Sequence, residues 1–261
     1  RKTIHHHYET LLDVLCAMGN RYIKWPTAQQ RQATKNFYRR NFGFPGIVGV
    51  IDGTLIPITA PKEQKQRYVD KNHDYSINVM IVCNHLRHII DVYIGQPGSV
   101  HDNRVFRRSV LAKAIFARDE LCGPDEHLIG DGGYMCMSKM MTPYRNDGRL
   151  QASHTYFNHK LSQCRATIER TNSLFKSRMA RTEKLFCKNI ITTNKHIAAA
   201  AVLHNFILLN GEDQDGFTLG GEVPEINVEE AMDASQPEGF ARRQNIRLQL
   251  ERELAVAEDE D

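Results

Sequence analysis

No apolar stretch of membrane-spanning length occurs in the chain. The longest uninterrupted run, 197–203, has seven residues, where a transmembrane helix needs about 20. No secretory signal pattern opens the sequence, so a soluble, intracellular protein with no membrane partner is expected. Six cysteines (Cys16, Cys83, Cys122, Cys136, Cys164 and Cys187) are scattered without a Cys-x-x-Cys pair. That excludes a zinc knuckle or a disulfide framework and leaves ordinary reduced thiols. Between 211 and 240 there is no Lys or Arg, and nine acids stand among Gly and Pro. Such a segment buries too little apolar surface to offset the entropy of ordering it, and it reads as a flexible acidic linker.

What is present suits one large domain with extensions: 261 residues, 41% hydrophobic. The net charge of +3 hides a split. Residues 212–261 carry 15 acids and 4 bases, a net of −11, while residues 1–211 carry 30 bases and 16 acids, a net of +14. A body this basic suits a polyphosphate partner.

Ile4, Leu11, Leu12, Leu15 and Met18 recur at helical spacing, and Gly19-Asn20 supplies a stop, so 3–19 reads as an amphipathic helix. The run His5-His6-His7 lies within it, and adjacent histidines do not share a helix face, which argues against a metal site there. A second helix is expected over 28–42. These make 1–45 a helical lead-in to a domain at 46–210, followed by the linker and a terminal amphipathic helix within 211–261.

The domain opens on the stretch Gly49-Val50-Ile51-Asp52-Gly53-Thr54. Its apolar run stops at a carboxylate, as if the strand ended there. A central strand rarely carries an unpaired charge, because burying one costs several kcal/mol. Two β-rich runs, 77–83 and 88–94, joined by a four-residue turn, predict an antiparallel hairpin beside it. A helix is expected over 100–116, then a short strand over 127–130 that ends at Asp131. A helical crossover returning the chain next to the first strand would set Asp52 beside Asp131. The ribonuclease-H-like fold, an α/β core of mixed sheet flanked by helices, has this arrangement. Past Pro143 the segment to 163 reads as irregular. Cys164, Ile168, Phe175 and Met179 then mark a helix with Glu169 at the border of its buried face, and 194–209 reads as a core helix. Residues 241–257 regain helical spacing, and that helix has three readings: it docks on the body, on a partner, or on another copy in a homo-oligomer.

Three carboxylates stand out: Asp52, Asp131 and Glu169. Phosphodiester cleavage needs an activated nucleophile on one side and a stabilised leaving oxygen on the other, and two divalent ions about 3.5–4 Å apart can serve both. Mg²⁺ takes hard oxygen ligands and keeps several waters, so two or three carboxylates suffice. A single Asp-Gly is most often a turn; the joint placement of these acids is more specific.

Five motifs occur in order: Val50-Ile51-Asp52-Gly53-Thr54, Gln96-Pro97-Gly98-Ser99-Val100-His101-Asp102, Gly130-Asp131-Gly132-Gly133-Tyr134, Ile168-Glu169-Arg170-Thr171 and Ala201-Val202-Leu203-His204-Asn205. They resemble the successive signatures of the Harbinger-type (PIF/Harbinger) DDE transposases and of the nuclease family derived from them, over roughly residues 1–210. The resemblance implies Mg²⁺- or Mn²⁺-dependent DNA cleavage and strand transfer, a location in the nucleus, and a separate Myb-like DNA-binding partner; the cytoplasm is kept as an alternative location. It also implies an upstream helix-turn-helix module, of which the chain, opening at Arg1, holds at most a part. Matched motif to motif, the catalytic and metal-binding triad falls on Asp52, Asp131 and Glu169. Asp102, at the start of the crossover helix, either caps that helix or stands with the metals. Arg165, Arg170 and Lys176 are the candidates for DNA phosphates. His204 and Asn205 read as buried hydrogen-bonding groups, and Tyr134 as packing under the Asp131 loop. Two other readings remain: a domesticated, catalytically silent DNA- or chromatin-binding scaffold, and a small-substrate phosphohydrolase, for which +14 is more charge than needed.

Overall fold

The computed structural model describes residues 2–117, 121–178, 185–186, 189–211 and 236–259. Helix α1 spans Lys2–Ala17, and the expected stop at Gly19-Asn20 instead opens a short helix, α2, over Gly19–Tyr22. Helix α3, Ala28–Phe42, starts on a capping box in which Thr27 and Gln30 satisfy each other's backbone N–H, and it ends on Gly43 at φ 71°.

Strands β1 (Ile47–Pro57), β2 (Ser76–Cys83) and β3 (Ile89–Pro97) form an antiparallel meander. Helices α4 (Asp102–Arg108) and α5 (Val110–Phe116) carry the chain back to β4 (His127–Ile129), which pairs parallel with β1. A two-residue strand, β5 (Met140–Met141), completes the sheet in the order β3-β2-β1-β4-β5. This mixed sheet flanked by helices is the ribonuclease-H-like core that the sequence predicts.

Three local expectations are corrected and one strand is added. Strand β1 does not end at Asp52; it pairs with β2 as far as Pro57↔Ser76. The apolar run stops there because the pairing of β1 with β4 ends at Val50↔Ile129 and uncovers that edge. The helix expected over 100–116 is two, because Ser109 leaves helical geometry and its hydroxyl accepts from Ala112 N to cap α5. Strand β5 has no sequence signal of its own. The stretch read as irregular up to 163 is helical from Ala152, the start of α6 (Ala152–Arg178), whose stripe Phe157, Leu161, Cys164, Ile168 and Phe175 is buried. Met179, Cys187 and residues 212–235 of the acidic linker lie outside the described residues. The described cysteines are free thiols.

Hydrophobic cores lie on both faces of the sheet. Tyr38, Val50, Ile56, Ile81, Phe157, Ile168 and Phe175 join residues of α7 (Ile190–Leu209) on one face. Val48, Ile51, Met80, Val105, Phe106 and Tyr134 pack on the other under α4 and α5. Helix α8 (Pro237–Asp259) docks on its own chain, with Ile246 and Leu250 buried in the first core. The strand period of two puts Asp52 on the face of Val50 and Ile56, toward α6, and Gly53 on the opposite face, toward α4.

Candidate active site

Asp52 lies two residues beyond the last pairing of β1 with β4, on an edge that β4 no longer covers. Asp131 follows the end of β4 in a tight turn, its carboxylate accepting from Gly133 N at 3.0 Å. Gly130 lets this loop fold onto Tyr134, since a Cβ there would stand 2.8 Å from the ring. Asp102 is the first residue of α4, whose N-cap position is His101. Its Oδ1 accepts from Asn78 Nδ2 of β2 at 2.7 Å. The carboxylate reaches across β1 only because residue 53 is glycine: a Cβ at Gly53 would meet Asp102 Oδ1 at 2.0 Å. Asp52, Asp102 and Asp131 thereby bring one carboxylate oxygen each within 4.8 Å of one another.

Helix α6 supplies the opposite wall. Arg165, Glu169, Asn172 and Lys176 follow at i, i+4, i+7 and i+11, one face of a helix. Arg165 is buried; its Nη2 lies 3.8 Å from Asp52 Oδ1 and its Nη1 3.7 Å from Glu169 Oε1. Asn172 Nδ2 donates to Asp52 Oδ2 at 3.1 Å. Burial holds the Lys176 ammonium below its usual range, and the charge of Asp52 opposes that shift. Burial also raises the Glu169 carboxyl; Arg165 and Arg170 oppose the rise and Asp131 adds to it. Glu169 is thus in electrostatic reach of Asp131, while the three-acid set found among the described residues does not include it.

Asp52 is strongly perturbed. Burial pushes its carboxyl up to about 7; Arg165 opposes the rise, and Asp131, Asp102 and Glu169 add to it. Three clustered carboxylates, with the single buried guanidinium of Arg165 beside Asp52, are the hard oxygen donors that a Mg²⁺- or Mn²⁺-class cation takes. The Cβ-free space at Gly53, without which Asp102 could not join, fits the same group. A cavity of about 350 Å³ opens beside Asp102, lined by Gly53, Leu55, Lys71, Ser99 and His101 among others.

The structure thus gathers Asp52, Asp131 and Asp102 tightly, with Glu169 facing them from α6. Arg165, one of the three residues expected at DNA phosphates, is buried beside Asp52 and Glu169. Arg170 is half-buried near Glu169, and Lys176 is half-buried near Asp52. His204 Nε2 pairs with Arg87 O, and Asn205 bonds both the N–H and the C=O of Ile89, so both are internal hydrogen-bonding groups. Tyr134 is buried against Phe106. Sequence reasoning missed Asn78 and Asn172. The available signals were a lone amide in the apolar run 77–83 and a position three residues after Glu169 on the same helix face.

A family model described as DDE superfamily endonuclease matches residues 51–205, more than half of the chain. The chain belongs to the DDE superfamily endonucleases. Within that family it lies in the Harbinger-derived branch. It is 27% identical to the human protein named "Putative nuclease HARBI1" over 90% of this chain and 68% of the relative. It is 24% identical to Protein ALP1-like of Arabidopsis thaliana over 60% of this chain and 41% of that protein. No solved structure matches the chain significantly. The DDE match begins one residue before Asp52 and encloses Asp102, Asp131 and Glu169, so this chain contains a nuclease domain of a family that implies divalent-metal dependence.

Proposed function

We propose that the chain is the catalytic domain of a DNA endonuclease of transposase type that cleaves phosphodiester bonds with two divalent ions, Mg²⁺ or Mn²⁺. The supporting observation is the convergence of Asp52, Asp102 and Asp131 within 4.8 Å from three separate elements. In this reading Asp52 and Asp131 hold the ions, Asp102 completes the set from the α4 side and Glu169 closes it from α6. When bound, the ions supply an activated nucleophile and a stabilised leaving oxygen. The protein's own part is positioning. Arg165 keeps Asp52 and Glu169 from repelling each other out of place, and its burial spends that charge inside the fold. Lys176 and Arg170, on the same helix, direct phosphates toward the acids. The cavity beside Asp102 leaves room for the nucleotide next to the scissile bond.

The same reading gives the protein strand-transfer chemistry, DNA as substrate, the nucleus as its location and a Myb-like DNA-binding protein as its partner. Its net charge of +14 over residues 1–211 supports a polyanionic substrate. Replacing Asp52, Asp131 or Glu169 singly with Ala is expected to abolish Mn²⁺-dependent nicking of transposon-end DNA, a loss of at least about a hundredfold, while circular dichroism stays that of the folded protein. Cleavage retained in Asp52→Ala would remove the proposal.

A further inference from the structure

Each of the three clustered acids accepts a hydrogen bond from a neutral N–H donor. Asn172 Nδ2 donates to Asp52 Oδ2 at 3.1 Å, Asn78 Nδ2 to Asp102 Oδ1 at 2.7 Å, and Gly133 N to Asp131 Oδ1 at 3.0 Å. The donors come from three different elements: α6, β2 and the turn after β4. Lysines or arginines in these places would bind the carboxylates more strongly, but they would also cancel the charge that a cation needs. An amide fixes the direction of a carboxylate and leaves its charge in place.

Both asparagines are held at a cost. Asn78 and Asn172 are 4% and 9% exposed, and the Oδ1 of each is buried without a hydrogen-bond partner. A buried acceptor left unpaired is unfavourable, so packing alone would favour an apolar side chain of the same size. Asn78 has a second duty, since its Nδ2 also donates to Val100 O and ties down the loop before α4. The Asn172 side chain, by contrast, donates to Asp52.

We propose that Asn172 and Asn78 are positioning residues for the divalent-ion site: each fixes one oxygen of its carboxylate, Asp52 or Asp102, and so holds the acids in their cluster without adding a positive charge at that oxygen. This inference rests on the metal reading of the acids. It adds two groups that touch neither substrate nor metal and act through the ligands.

The test is Mn²⁺ titration by calorimetry on the full chain in the absence of DNA, with the melting temperature of the metal-free protein measured in parallel. Asn172→Leu keeps the volume and removes the donor, and Asn172→Ala serves as a second variant should the first fail to fold. The expected result is that the wild type binds Mn²⁺ and the variant binds at least about tenfold more weakly, while the metal-free melting temperature stays within a few degrees. Asn78→Leu is expected to lose metal affinity and also some metal-free stability, because of its bond to Val100. Unchanged Mn²⁺ affinity in folded Asn172 variants would overturn the proposal, as would a fall in metal-free stability with affinity intact, which marks a purely structural residue. If the wild type itself binds no Mn²⁺ at millimolar concentration, the metal reading of the acids fails first, and the positioning role goes with it.

Discussion

Asp52 sits in the fold with its carboxyl raised to about 7, chiefly by burial, and this has a consequence for stability. A carboxyl whose folded value lies above its unfolded value, about 3.9, binds more protons in the native state at intermediate pH. Stability of the metal-free protein therefore falls as pH rises from about 4 to about 7, and the penalty is complete above that range. Asp52→Asn removes this charge. The variant is expected to melt a few degrees above the wild type at pH 8 without metal, and the gap should narrow as pH falls to 5 and vanish near pH 4; a scanning-calorimetry series over pH measures it. Added Mn²⁺ should reverse the ranking at pH 8, because only the wild type has the carboxylate to hold the ion. At this scale the sequence was informative where a charge interrupts an apolar strand, as at Asp52, or follows one, as at Asp131. It was silent on Asn78 and Asn172, whose meaning depends on partners 24 and 120 positions away in the chain.

Among the elements, those whose burial follows a simple period were legible. Helix α3 has the bounds read from the sequence, because the capping box at Thr27 and the glycine at 43 are local chemistry. The boundaries that were not legible depend on neighbours. Strand β1 continues through Asp52 because β2 keeps pairing with it, and no periodicity reports which partner strand stops first. The first turns of α6 were hidden because only Phe157 and Leu161 mark their buried side before Cys164. For α8 the sequence left three docking modes open, and the structure shows the first of them, partly through a residue that reads as a surface cation. Arg243 is buried, donates to Thr142 O at 3.2 Å and Pro143 O at 2.9 Å, and lies 4.0 Å from the Tyr144 ring centroid. Arg243→Ala would leave those carbonyls unpaired and remove the cation–π contact, a loss of roughly 3 kcal/mol. Urea denaturation of the full chain checks this, and an effect near zero would mean that α8 contributes little to holding the body.

The whole molecule assembles the site from parts that are far apart in the chain. The crossover through α4 and α5 lays β4 against β1 and so joins Asp131 to Asp52. The start of that crossover carries Asp102 over Gly53, and α6 crosses the same edge with Glu169, Asn172 and Lys176. Residues 1–211, which hold this edge, carry a net charge of +14. The fold class was legible because the strand order and the single crossover admit few topologies; the membership of the acidic set was less so, because Asp102 joins it through a three-dimensional approach to a glycine. The central claim is that these acids form one divalent-metal site, and a crystal soaked in Mn²⁺ with anomalous scattering data tests it most directly. The expected result is an anomalous peak bonded to carboxylate oxygens of both Asp52 and Asp131. Mn²⁺ bound elsewhere, or no peak between these two residues at millimolar metal, would contradict it.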